Sequence, residues 1–158
     1  MEKVFEKFLE KVITKEDFIL LLEEINSLER FIFKETKKPL SEKIKGEVRE
    51  EFRNIIEKLE KEKIITRSPD QQFSFFDNFK KYLKNIPQLK LEIAFLPSEE
   101  FLLDVKNWFK KEKNKEVILD LTVNPKLVAG AIIEYEGRYG NFSIAKKIDE
   151  LFSNYEKF

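Results

Sequence analysis

Apolar residues recur through the first half of this chain at steps of three and four. Val4, Phe5, Phe8, Leu9, Val12 and Ile13 share one side of a short helix, with Lys3/Glu6 and Lys7/Glu10 on the other. Thr14 stands where a second helix would be capped, with Asp17 in the capping-box position and Phe18, Leu21, Leu22, Ile25, Leu28, Phe31 and Ile32 facing inward. Pro39 ends that element. Ser41 then starts a third helix, which the spacing of Ile44, Val48, Phe52, Ile55, Ile56 and Leu59 predicts to be the longest in the chain. Ser68-Pro69-Asp70-Gln71 reads as an N-cap, a proline in the first turn and a capping-box glutamine. From there Phe73, Phe76, Phe79, Tyr82, Leu83 and Ile86 carry a fourth helix to Pro87. Residues 1–88 are expected to form a helical domain, a bundle of about four helices.

From Leu89 onward the period drops to two. Leu91, Ile93 and Phe95 alternate with Lys90, Glu92 and Ala94 in a strand that Pro97 closes. Ser98 caps a helix with Phe101, Leu102, Val105, Trp108 and Phe109 toward the sheet, ending in Lys110, Lys111, Lys113 and Lys115. A strand from Val117 breaks at Asn124-Pro125, because proline cannot donate to a ladder and pushes its predecessor out of the helical region. The chain turns through Leu127-Val128-Ala129-Gly130 and leaves as a strand from Ala131 to Tyr135. Gly130 there permits either a positive φ or close approach of another backbone. Glu136-Gly137 leads into a further short strand, the fourth of this half, and Ser143 caps a final helix with Ile144, Ala145, Ile148, Leu151, Phe152 and Tyr155 inward. Residues 89–158 are thus expected to form an α+β domain, a small mixed sheet with two helices.

Composition removes whole classes of chemistry. The chain has no cysteine and no histidine, so disulfides, thiolate nucleophiles, the usual zinc sites and the commonest general base are all missing. Four glycines supply no phosphate loop, and Gly137-Arg138-Tyr139-Gly140 lacks the spacing and the Lys-Ser/Thr of one. Lys+Arg and Asp+Glu are both 30, so no long-range pull on nucleic acid is expected, although Trp108 lies beside a lysine run. Asp104, Asp120 and Asp149 read as surface residues, and no catalytic, cofactor-binding or metal-binding residue is assigned. The longest apolar run, Phe18 to Leu22, is far short of a membrane span, so no direct membrane insertion is expected.

One ordered series of residues carries a resemblance. Val123-Asn124-Pro125-x-Leu127-x-Ala129-Gly130-Ala131-x-Ile133-Glu134, then Gly137 and Asn141-x-Ser143, resembles the C-terminal signature of the delta subunit of F-type ATP synthases, the oligomycin-sensitivity-conferring protein of mitochondria. The likeness runs from Leu89 to Phe158. It implies a non-catalytic stator link during proton-driven ATP synthesis. The helical domain would hold the N-termini of the alpha subunits, and the α+β domain the C-terminal end of the peripheral-stalk b subunits. It further implies a bacterial, cytoplasmic chain, peripheral at the inner face of the cell membrane. Val123, Asn124, Pro125, Leu127, Ala129, Gly130, Ile133 and Ser143 would be structural members of the motif. Phe5, Phe8, Leu9, Phe101, Leu102 and Trp108 are the candidate partner-binding residues. The chain departs from the family in having a smaller helical half without the Ala-Arg-x-Tyr-Ala start, in Asn141 for a frequent Asp, and in Ala129 for a frequent second Gly. The competing reading is a free-standing helical adaptor, a protein-interaction module unrelated to the synthase.

Overall fold

The computed structural model describes residues 1–35, 37–144 and 146. They form two compact units, one of residues 1–12 and 16–85, the other of residues 13–15 together with the chain from Ile86 onward.

The first unit is helical: α1 (Glu2–Leu9), α2 (Lys15–Ile32), α3 (Leu40–Lys43), α4 (Glu50–Lys61) and α5 (Pro69–Lys84). Its core is aromatic. Phe5 stacks on Phe79 with ring centres 4.8 Å apart and meets Phe75 at 5.4 Å, while Phe8 lies 4.9 Å from Phe79 and 5.5 Å from Phe52. On α5 the buried row is Gln72, Phe75, Phe76, Phe79 and Leu83, which leaves Phe73 outside it, 46% exposed against Phe33.

The single long helix expected from Ser41 to Leu59 is two pieces. Gly46 sits between them at φ +82, a conformation no α-helix accommodates, and α2, at 18 residues, is the longest helix among those described. Nor does Ser41 cap α3. That helix starts after Pro39, and its first N–H groups are met from a distance: Glu60 of α4 accepts from the Leu40 amide at 2.6 Å and the Ser41 hydroxyl at 2.5 Å. Glu24 plays the same part at the start of α4, accepting from the Arg49 amide at 2.8 Å and from its guanidinium through both oxygens at 2.9 Å. Ser68 makes no side-chain cap on α5, and Gln71 instead accepts from the Thr66 hydroxyl.

The second unit is a mixed sheet of four strands in the order β2-β1-β3-β4, formed by β1 (Gln88–Ile93), β2 (Ile118–Val123), β3 (Ala131–Tyr135) and β4 (Arg138–Asn141). β1 pairs in parallel with β2 and antiparallel with β3, so the bend after β2 carries the chain past the end of β1. Helix α6 (Glu99–Lys113) covers one face, where Leu89, Leu91, Ile93, Leu102, Phe109 and Leu119 form the buried cluster. Its buried row is Leu102, Lys106 and Phe109, so Trp108 points away from the sheet and is 60% exposed. Buried Lys106 lies 3.7 Å from Glu116, to which Lys110 also bonds. Phe95 falls beyond the end of β1 and is exposed rather than inward. The final helix expected after Ser143 lies, from Lys147 on, outside the described residues.

Residues 13–15 complete this unit from far away in sequence. Leu119 donates its amide to the Ile13 carbonyl at 3.0 Å, Thr14 bridges Leu119 in parallel, and Lys15 pairs with Asp120 at 2.9 Å. Ile13 is 5% exposed and belongs to the sheet's apolar cluster. Ile13→Ala is therefore expected to destabilise the sheet unit by about 2–4 kcal/mol. Amide exchange monitored residue by residue should show protection lost first in β1 and β2, ahead of α2 and α5.

Candidate functional site

The motif residues gather at one end of the sheet. Asn124 follows the last residue of β2 and is tied three ways: its amide donates to the Ile93 carbonyl at 2.7 Å, its side-chain nitrogen to Glu92, and its side-chain oxygen accepts from the Lys126 amide at 3.0 Å. Pro125 then opens a 3-10 turn, Pro125–Leu127, whose Leu127 is 6% exposed. Val123 is 40% exposed at the edge of this turn, and Ile133 packs half-buried against the cluster beneath α6.

After Leu127 the backbone is forced. Val128 has φ 65 and ψ −55, and the Ala129 amide returns to the Leu127 carbonyl at 2.7 Å, which makes a γ-turn of the rare positive-φ kind. A β-branched residue is a poor occupant of that region. Gly130 follows at φ +89, and a Cβ there would run into the Phe142 carbonyl oxygen and stand 3.0 Å from the Ser143 Cα. The close approach is stitched on both sides: Ile144 donates to the Ala129 carbonyl at 2.9 Å and Phe142 to that of Ala131 at 2.8 Å. Ser143, 1% exposed, donates its hydroxyl to Asn141 at 2.7 Å and accepts from the Lys146 amide at 3.3 Å. The motif thus locks the turn after β2 to the chain leaving β4. That accounts for Gly130 by geometry, and Asn141 accepts both the amide and the hydroxyl of Ser143 without needing a charge.

The six candidate partner-binding residues divide. Phe5, Phe8 and Leu9 are 4%, 4% and 1% exposed, already used by the aromatic core of their own unit, and Leu102 is buried on the sheet-facing side of α6. These four side chains are taken up inside their own units, because the face that periodicity marks as apolar is the face the fold consumes. Phe101 and Trp108 remain open. Phe101 meets the exposed Phe95 edge-on at 5.7 Å, and Leu96 beside them is 82% exposed. Sequence reading missed Phe95 and Leu96 by extending the strand to Pro97. The first unit carries a hollow of about 340 Å³ with Phe8, Val12, Leu21, Phe52 and Ile55 in its lining.

The carboxyls of Glu50, Glu51, Glu57 and Asp77 are held below their usual range by hydrogen bonds from Arg53, Lys11, Lys61 and Lys81, all on the surface. Burial is the main cause that raises the Tyr135 hydroxyl. Among the described residues no group of acidic side chains is placed to hold a metal ion. Two substitutions test the turn by thermal denaturation followed by circular dichroism. Gly130→Ala should cost at least about 2 kcal/mol, since it adds strain and a collision, whereas Val128→Gly should raise stability by about 1 kcal/mol by relieving the γ-turn.

A comparison with curated proteins gives no match. The family model described as ATP synthase delta (OSCP) subunit matches residues 2–154, and so takes in the helical unit as well as the sheet. This chain therefore belongs to the ATP synthase delta (OSCP) subunit family.

Proposed function

We propose that this chain is the stator link of its synthase, holding the N-termini of the alpha subunits with the helical unit and the C-terminal end of the peripheral-stalk b subunits with the sheet unit. Membership of a family of structural ATP synthase subunits, over nearly the whole chain, is the observation that carries the reading. The geometry is suited to it. A link that resists torque needs stiff elements and apolar contact surface rather than chemistry. The stitched turn supplies the first, and the open Phe95, Leu96 and Phe101 with the hollow of the helical unit supply the second. Because Phe5, Phe8 and Leu9 are buried, an alpha N-terminus would engage α1 through other residues or seat in that hollow. Among the described residues no helix is long and apolar enough to cross a membrane, and we place the chain at the cytoplasmic inner face of a bacterial membrane through its partners alone. Membership of the family speaks against an adaptor unrelated to the synthase.

The test is titration calorimetry of the whole chain against two peptides, one from the N-terminus of the alpha subunit and one from the C-terminus of the b subunit of the same synthase. Each should bind with a dissociation constant of about 1 µM or tighter, with the negative heat-capacity change of apolar burial. Phe101→Ser should weaken only the b peptide. Absence of heat with both peptides at about 100 µM would overturn the reading.

A further inference from the structure

The two edges of the sheet are finished differently. Outside β2 the bridge from Thr14 to Leu119 lies alongside, whereas β4 has no strand beyond it among the described residues. The pairing of β3 with β4 decides which backbone groups face outward there. Glu136 and Gly137, at φ 47 and 75, make a two-residue hairpin turn, so Tyr135 and Arg138 flank it as a hydrogen-bonded pair. Antiparallel pairs alternate, so Ile133 with Gly140 and Ala131 with Phe142 are bonded too, and the Phe142 amide does reach the Ala131 carbonyl. Tyr139 and Asn141 therefore turn their N–H and C=O groups to the open side.

Beside that edge runs a groove of about 390 Å³ on the α6 face. Phe109, Ile133, Tyr135 and Phe142 give it an apolar lining. Gly140 contributes no side chain, and the Phe142 ring lies over it where a Cβ would collide at 2.6 Å. Lys113, Lys115 and Arg138 line it as well, against one acid, Glu136, which Lys115 approaches at 3.7 Å. Lys113 and Arg138 have no acidic partner among the described residues.

We propose that the β4 edge and this groove receive an extended acidic segment of a partner protein, which adds to the sheet as a further strand. Tyr139 and Asn141 would supply the main-chain bonds, and the groove would take alternate apolar side chains. Carboxylates on the groove-facing side of that strand, beyond its apolar residues, would meet Lys113 and Arg138, which fixes the sign of the partner. A second copy of this chain is disfavoured at the same edge, because it would bring Arg138 and the lysines of two copies together. This proposal goes beyond the stator reading and does not rest on it.

The probe is a capped synthetic peptide, Glu-Thr-Val-Thr-Phe-Thr-Glu, whose glutamates share a face with its valine and phenylalanine, titrated into the whole chain and followed by NMR. The Tyr139 and Asn141 amides should gain protection from exchange on binding. Two further peptides carry N-methyl groups on either the odd or the even amides. Strand addition presents one edge to β4, so one of the two should bind like the parent and the other should lose binding about tenfold or more. Equal behaviour of the two methylated peptides overturns the proposal. Tyr139→Pro removes an outward donor and no bond of the β3–β4 ladder, so it should weaken the parent peptide about tenfold while the amides of Ile133 and Gly140 stay protected. Unchanged affinity in that variant likewise overturns it. Lys113→Glu, which touches no ladder bond, should exchange the preference from this peptide to its lysine-for-glutamate twin; an unchanged preference removes the charge assignment.

Discussion

The alternation of Leu89, Leu91 and Ile93 along β1 is the constraint on which the sheet unit depends. These three residues are at most 4% exposed, and β1 has a strand on each side, so a slip of one position would turn Lys90 and Glu92 into the core beneath α6. The neighbours inherit their registers from it: Leu91 opposite Leu121 on one side and Ile133 on the other. Because β1 lies between β2 and β3, the link connecting them has to pass its end in a few residues. The forced backbone at Val128 and Gly130 follows from that requirement.

The sheet was legible in the sequence because period-two alternation, the Asn124-Pro125 break and the Glu136-Gly137 turn are local signals. Their meaning does not depend on a distant partner. The helical unit was less so. Ile44, Val48 and Phe52 keep a helical step across Gly46, and periodicity cannot register that one residue between them has left helical φ. Capping was misread for a related reason: the oxygens that meet the starts of α3 and α4 belong to Glu60 and Glu24, on helices that sequence proximity does not connect to them. For the site, the motif residues were named from a resemblance, and the close approach at Gly130 and the bonds of Asn124 and Ser143 supply a geometric reason for those residue types. Surface residues obey no such restriction. Phe5 and Phe8 looked available, and Phe95 looked buried, since an apolar residue carries no mark of which surface it will meet.

Electrostatics have a modest role in this molecule. Charged residues are 38% of the chain, yet most of the ion pairs described lie on the surface, where each is worth roughly 0–1 kcal/mol. The two carboxylates that organise structure, Glu24 and Glu60, do so by accepting backbone amides. The stator link proposed above would have to stay rigid while holding other subunits, and the carboxylates that meet the starts of α3 and α4 tie helices within the first unit together.

The membership of residues 13–15 in the sheet unit has a consequence for how the protein is made. A ribosome delivers Ile13, Thr14 and Lys15 early, but Asp120, the partner of Lys15, lies 105 positions later. All five helices of the first unit precede β1, while Ile13 and Thr14, between α1 and α2, and Lys15 at the start of α2 stay unmatched until β2 is synthesised. Closing this early loop therefore has to wait for a late strand, and in a chain stalled before Leu119 the residue that Ile13 bonds to would not yet exist.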